Sequence, residues 1–239
     1  MISEAEKTRL LANWLETLAD VQAATTDARR TPGCVRVIGV SKYVDADWTA
    51  ALVEAGCHDL GESRPQQLAE KVDALPQCNN QALLPIRWHM IGNVQRNKAK
   101  RVVETADVIH SIDSLKLLET IATHAKSLGR TPDVMIEVKI SGEADKHGFD
   151  AVDLRRQWAA ITSVTGVQLV GLMGMAGLDC KGPQAREQFA ALRTLRDELA
   201  SDEIPLSDLS MGMSGDYREA ILEGATIVRI GSRLFEGLR

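Results

Sequence analysis

VRVIGVSK (35–42) is an apolar run of strand length, rich in valine and isoleucine, that stops on a serine and a lysine. Seven more runs of this kind follow: HDLGE (58–62), IRWHMIG (86–92), DVIHSID (107–113), DVMIEVKIS (133–141), VQLVGLMGM (167–175), DLSMGMS (208–214) and TIVRIGS (226–232). Runs this short and this apolar suit strands buried on both faces. Stretches of helical pattern lie between them, near 45–55, 64–73, 95–105, 114–128, 150–163, 184–200 and 215–223. Eight strands separated by seven helices, strand before helix each time, specify a parallel sheet closed into a single (β/α)8 TIM-type barrel. A doubly wound open sheet is the alternative, but no GxGxxG follows the first strand.

Upstream of the first strand, Leu10, Leu11, Trp14, Leu15, Leu18 and Val21 recur at helical spacing behind a Ser3–Glu6 capping box. Thr31-Pro32-Gly33 ends that extra N-terminal helix. No linker or internal repeat divides the chain, so 1–239 is expected to be one domain.

The 239 residues are 44% hydrophobic and 26% charged, with net charge −5. That composition excludes disorder and low complexity, and it disfavours nucleic acid or an anionic membrane as partner. No apolar run approaches the roughly 20 residues of a membrane span. The N-terminal MISEAEKTRL does not resemble a secretory or transit signal, and Cys34, Cys57, Cys78 and Cys180 have neither zinc nor disulfide spacing. A reduced, cytoplasmic protein is expected.

In a (β/α)8 barrel the functional site lies at the carboxyl ends of the strands. The strand ends in order are Lys42, Glu62, His89 to Gly92, His110 to Asp113, Ser141 with Lys146 nearby, Met173 to Met175, Ser210 to Asp216 and Arg229 to Ser232, and polar residues and glycines crowd them. Alternation along the first strand puts Ile38, Val40 and Lys42 on one face, and Val37, Gly39 and Ser41 on the other. Lys42 is then either a partly desolvated amine, nucleophilic toward carbonyls, or a lysine reaching out to water. Arg229, between Val228 and Ile230, needs compensation for its buried charge. Glu137 or Glu62 could pair with it, or it could face a ligand. After strands seven and eight, Ser214-Gly215 and Gly231-Ser232 form two Gly–Ser turns that read either as helix caps or as a phosphate cradle. A carbonyl-seeking amine, an anion cradle and a fixed arginine at one mouth match the aldehyde, phosphate and ring nitrogen of pyridoxal 5′-phosphate.

With these residues the chain resembles the YggS-like family of pyridoxal-phosphate homeostasis proteins over nearly its whole length. The likeness is carried by VIGVSK (37–42), RWHMIGNVQRNK (87–98), HSID (110–113), SGEADKHGF (141–149), GLMGM (171–175), SMGMSGDYREAI (210–221) and VRIGSRLFEG (228–237). It implies an alanine-racemase-like barrel lacking the second β-domain, and the lack of that domain leads to the expectation of a monomer. It further implies Lys42 in aldimine linkage with pyridoxal 5′-phosphate, the phosphate on Ser214, Gly215, Gly231 and Ser232, and Arg229 toward the ring nitrogen. Lys146 matches a family lysine with a secondary, transient role. Ser63 stands where many relatives carry asparagine, and Asn93 where proline or glutamine is common, so no contact is carried over to Ser63. The implied role is to hold the cofactor and hand it to apo-enzymes.

An arginine can only donate a hydrogen bond to the ring nitrogen, which leaves the ring a weak electron sink. Racemisation needs a base on each side of the substrate carbon. The candidates besides Lys42 are few: Tyr43 is expected on the other strand face, Tyr217 in a helical first turn, and His89 in a packed position. A carrier is therefore expected over an amino-acid racemase or decarboxylase of the same barrel class. A phosphosugar enzyme using Lys42 on sugar carbonyls is a third reading.

Overall fold

The computed structural model describes residues 2–75, 85–141 and 147–238. Helix α1 (Glu4–Asp27) precedes the alternation β1 (Arg36–Val40), α2 (Ala46–Glu54), β2 (Asp59–Glu62), α3 (Pro65–Ala74), β3 (Arg87–Met90), α4 (Ala99–Thr105), β4 (Val108–Ile112) and α5 (Leu115–Leu128). It continues with β5 (Asp133–Val138), α6 (Ala151–Thr162), β6 (Gln168–Gly174), α7 (Pro183–Leu199), β7 (Asp208–Met213), α8 (Tyr217–Leu222) and β8 (Ile227–Ile230). Single 3₁₀ turns cover Arg96–Lys98 and Ser232–Phe235. All eight strands are parallel, and β8 pairs with β1 to close the barrel, with Ile38 opposite Arg229.

Alternation sorts the side chains as the sequence requires. Val37, Leu60, Met90, Ile109, Val134, Leu172, Leu209 and Val228 point outward into the layer shared with the helices. Ile38, Val40, Val108, Met135, Met173 and Ile227 form a second, smaller cluster inside the barrel. The interior therefore has little apolar filling, and polar side chains occupy the rest.

Helix α1 begins at the expected capping box: the Glu6 backbone N–H donates to Ser3 Oγ at 3.3 Å, and Ser3 N–H to Glu6 Oε2 at 2.8 Å. Only one side of its apolar pattern is buried. Leu10, Trp14 and Val21 pack inward, whereas Leu11, Leu15 and Leu18 are exposed. Asn13 and Thr17 take the remaining inward positions, and Asn13 Nδ2 donates to the carbonyls of Leu234 and Glu236, both at 3.0 Å. The helix thereby ties the C-terminal turn across the β8–β1 closure. Arg30 adds a second tie, donating to the carbonyls of Ile221 and Ala225.

Several strands are shorter than the apolar runs. β1 ends at Val40 and β5 at Val138, so Ser41–Lys42 and Lys139–Ser141 belong to the loops of the mouth. No helix among the described residues is long and apolar enough to cross a membrane. Cys34, Cys57 and Cys180 carry no disulfide, and Cys78 lies outside the described residues.

Candidate functional site

The carboxyl ends of the strands surround a cavity of about 740 Å³. That lies within the usual range for small-molecule sites, roughly 300–1,000 Å³. Lys42, Ser214, Gly215, Arg229, Gly231 and Ser232 all line it, brought together from the end of β1, the β7–α8 loop, β8 and the turn that follows. Lys146 lies outside the described residues.

Lys42 is half-buried, its Nζ 4.9 Å from the centroid of the Tyr43 ring. Tyr43 also lines the cavity, contrary to the expectation that it would point to the other strand face. Strand alternation stops at Val40, so the loop is free to turn both residues toward the mouth. The loop itself is anchored from behind by the buried ammonium of Lys71 on α3. Its Nζ donates to the Ser41 carbonyl at 2.7 Å, to Ser41 Oγ at 3.2 Å and to Glu62 Oε2 at 2.6 Å. Glu62 Oε1 in turn accepts the backbone N–H groups of Ser63 and Arg64. Glu62 is thus spent on Lys71 and is not the partner of Arg229, because it faces α3 and not the barrel interior.

Arg229 is buried, and neutral oxygens hold it. NH1 donates to the Ser210 carbonyl at 2.7 Å and to Ser210 Oγ at 2.6 Å, and NH2 donates to the Gly174 carbonyl at 3.1 Å. Among the described residues no carboxylate lies within 4.0 Å of it. Glu137 lines the same cavity and feels the guanidinium at longer range. Burial lowers the arginine to about 10, against the pull of Asp216 and Glu137, and it remains charged at neutral pH. Burial also raises the Glu137 carboxyl to about 7; Arg229 opposes the rise and Asp113 adds to it.

The cradle after β7 and β8 consists of loop backbone. Ser214 Oγ accepts the Gly231 N–H at 3.2 Å, joining the two loops. Asp216 accepts the Met213 N–H at 2.6 Å and makes no side-chain cap on α8, nor does Ser214, so the capping alternative is not realised. Helix α8 has six residues, so its dipole adds little and the loop N–H groups matter more. A Cβ on Gly215 would meet nothing within 4 Å, which leaves its backbone open to the cavity. At Gly231 a Cβ would sit 3.3 Å from Val40 Cβ, a close approach of β8 to β1.

The strand-end reading put His89 and His110 among the mouth residues. Both lie fully buried inside the barrel, hydrogen-bonded to each other at 2.9 Å, which is the packed position expected for His89 and a correction for His110. Glu137, Ser63, Asn93 and His147 are cavity residues that reading the strand ends did not select. Glu137 sits one position before the end of β5 on an interior-facing register with Met135, and that alternation was the available signal. Lys71 had none: a lone lysine in a helical stretch reads as surface.

Comparison with known proteins follows the same lines. The family profile described as "Alanine racemase, N-terminal domain" matches residues 18–238. Curated proteins named "Pyridoxal phosphate homeostasis protein" are similar: that of Aquifex aeolicus is 36% identical over 219 residues, 91% of this chain and 93% of that protein. The Pseudomonas aeruginosa protein is 35% identical over 226 residues, 93% of each chain. Among solved structures, PipY of Synechococcus elongatus with PLP bound has a TM-score of 0.76 at 34% identity, covering 90% of this chain and 99% of its own. A protein from Bifidobacterium adolescentis, described as unknown, has a TM-score of 0.90 at 34% identity and 98% coverage of both chains. Alanine racemase of Clostridium difficile, at 16% identity, shares the fold over 56% of its length, with a TM-score of 0.68. By profile, identity and coverage together, the chain belongs to the pyridoxal phosphate homeostasis protein family, built on the alanine racemase N-terminal domain.

Proposed function

We propose that the protein, as one domain over 1–239, binds pyridoxal 5′-phosphate in this cavity and serves intracellular homeostasis of that cofactor as a carrier. The observation that carries the reading is the convergence of Lys42, Ser214, Gly215, Arg229, Gly231 and Ser232 on one cavity of about 740 Å³. The residues fit the group. When bound, pyridoxal phosphate supplies an aldehyde that condenses reversibly with an amine. Lys42 provides that amine, and its half-buried place beside Tyr43 leaves Nζ within reach of the mouth. The Gly215 backbone N–H, with the Ser214 and Ser232 hydroxyls, offers donors to a phosphate, while the Gly231 N–H holds Ser214 Oγ in place. Gly215 leaves room for close approach. Arg229, which has no acceptor capacity, donates to the ring nitrogen.

The same arginine argues for carriage over turnover. Arg229 can only donate to the ring nitrogen, so it would leave that nitrogen unprotonated and a bound ring a weak sink for negative charge. Apo-enzymes in the cytoplasm are the proposed recipients, and the protein is proposed to act as a monomer. One observation favours the alternative of an amino-acid racemase or decarboxylase: Glu137, raised to about 7, is a proton acceptor within the cavity near neutral pH. Incubating loaded protein with amino acids separates the two, since sustained inversion or amine release at about 1 s⁻¹ or above is ordinary enzyme turnover.

The binding claim is tested by adding pyridoxal phosphate to purified protein, reducing with borohydride and mapping peptides by mass. Label on Lys42 is expected, and its loss in a folded Lys42→Ala variant. Absence of label, or label confined to another lysine, overturns the assignment. Protein that stays colourless with the vitamer would point to a phosphosugar substrate instead.

A further inference from the structure

Arg229 is the last member of a hydrogen-bonded chain that runs through the barrel. Its NH1 donates to Ser210 Oγ at 2.6 Å, and Ser210 Oγ lies 2.9 Å from His110 Nδ1. His110 Nε2 lies 2.9 Å from His89 Nδ1, and His89 Nε2 lies 2.9 Å from Asp59 Oδ1. Strands β8 and β7 are neighbours, as are β4, β3 and β2, but β7 and β4 are not. The Ser210–His110 link therefore crosses the interior. Ser210, His110 and His89 are wholly buried, while Asp59, at the start of β2, is partly exposed at the end of the barrel away from the mouth.

Donor and acceptor chemistry leaves this chain one polarity. Asp59 is an acceptor: burial alone would raise its carboxyl, but the His89 hydrogen bond and the charges of Arg36 and Arg87 hold it below the usual range. His89 Nε2 must then carry a proton. Burial keeps both imidazoles neutral, against the pull of Asp59 on His89 and with the nearby Arg36, Arg87 and Arg229 charges working in the same direction as burial. A neutral His89 offers Nδ1 as acceptor, so His110 Nε2 donates and His110 Nδ1 accepts. Ser210 must donate its hydroxyl proton to His110, which leaves its oxygen lone pairs for Arg229. Every group in the chain is satisfied by one arrangement of protons.

We propose that Ser210, His110 and His89 are positioning residues for Arg229, a one-directional hydrogen-bond chain anchored at Asp59 that orients the guanidinium facing the cofactor. The role rests on the proposed function. It also makes a residue at the far end of the barrel, Asp59, a determinant of the mouth.

The test combines nitrogen NMR of the imidazoles with cofactor binding. In the apo-protein at neutral pH, His89 and His110 are both expected as neutral Nε2–H tautomers. Asp59→Asn removes the obligate acceptor, so Nδ1–H signal should appear at both rings. The pH profile of the bound cofactor's absorption should shift, although Asp59 does not line the cavity. Ser210→Ala should raise the cofactor Kd roughly 10-fold, as loss of a hydrogen bond to a charged group does, and Ser210→Thr, which keeps the hydroxyl, should restore it. A charged or Nδ1–H His110 in the wild-type apo-protein overturns the proposal, and that measurement needs no variant to fold. So do Asp59→Asn and Ser210→Ala proteins that match wild type in both readouts. Wild-type protein that never takes up pyridoxal phosphate overturns the proposed function, and the positioning role with it. Uptake with the wrong tautomers overturns the positioning role alone.

Discussion

Lys71 and Arg229 are cations with equal exposure, 5% each, but Lys71 is closed on the Glu62 carboxylate at 2.6 Å while Arg229 rests on neutral oxygens. The first lies between the sheet and α3, and its charge is cancelled on the spot by Glu62. The second lies at the floor of the mouth with its charge uncancelled at short range and with Glu137 held in the same cavity. A barrel that buries a charge only for structure closes it, as at Lys71. One that leaves a charge open beside a cavity keeps it for something that enters. The field of Arg229 and the loop N–H groups favour an anion or an acceptor there.

Breaking the closed pair should have the largest effect. Lys71→Ala leaves the buried Glu62 carboxylate without its counter-charge, and removing one partner of such a pair costs about 3–5 kcal/mol. Denaturant unfolding of the apo-protein measures this. Lys71→Met combined with Glu62→Leu should recover most of the loss, because apolar replacement of both partners is often neutral or better. A single variant as stable as wild type would mean that the pair is not closed in solution.

The open site differs in its pH dependence. Glu137 titrates near 7 in the folded protein and near 4.5 when unfolded. Between those values the native state holds the extra proton, so stability falls as pH rises from about 4.5 to 7. The full loss is on the order of 3 kcal/mol, from 1.36 kcal/mol per pKa unit. Glu137→Gln should therefore match wild type near pH 5 and exceed it by about that amount near pH 8. Parallel stability curves for the two proteins would show that Glu137 is solvated or paired in solution.

Arg229→Ala comes next. It uncovers the carbonyls of Ser210 and Gly174 and the Ser210 hydroxyl, all neutral groups, so it should cost about 1–3 kcal/mol of stability, less than Lys71→Ala. It should also weaken cofactor retention, which an equilibrium titration of the absorption change would measure. Unchanged affinity would make Arg229 as structural as Lys71.

The contrast between these two cations also marks what the sequence could reveal. The eight strands were legible because each is an apolar run interrupted by a helical pattern, and strand alternation correctly turned Ile38 and Val40 inward. Arg229 was legible because an arginine between Val228 and Ile230 violates the pattern of its strand. Lys71 violates nothing: helix α3 is half polar, and only the three-dimensional meeting of α3 with the ends of β1 and β2 makes it buried. Tyr43 was misplaced for a related reason, and the helical spacing of Leu11, Leu15 and Leu18 did not show that they are exposed. Periodicity gives a face but not where an element ends or which of two apolar sides meets a neighbour. His89 was legible as a packed side chain, but His110 was not, because its link to Ser210 crosses the barrel between strands that no local pattern relates.

The smallest expected effect lies in the cradle, and it distinguishes two serines that the sequence treats alike. Ser232 is exposed at the start of the turn after β8 and lines the cavity. Its hydroxyl makes no hydrogen bond to another described residue, so it is available to a phosphate. Ser232→Ala should then cost about 0.5–1.5 kcal/mol of cofactor binding, a typical single hydrogen bond, because backbone donors share the anion. Ser214 is different, since its oxygen already accepts the Gly231 N–H. Ser214→Ala removes one hydroxyl donor but frees that N–H for the phosphate, so its loss should be smaller than that of Ser232→Ala. Competition by inorganic phosphate, measured in both variants, reads the same order without the aldehyde. If Ser214→Ala proves the more costly, the bridge between the two loops holds the cradle in shape, and the anion depends on Ser214 for that geometry more than on Ser232 for a bond.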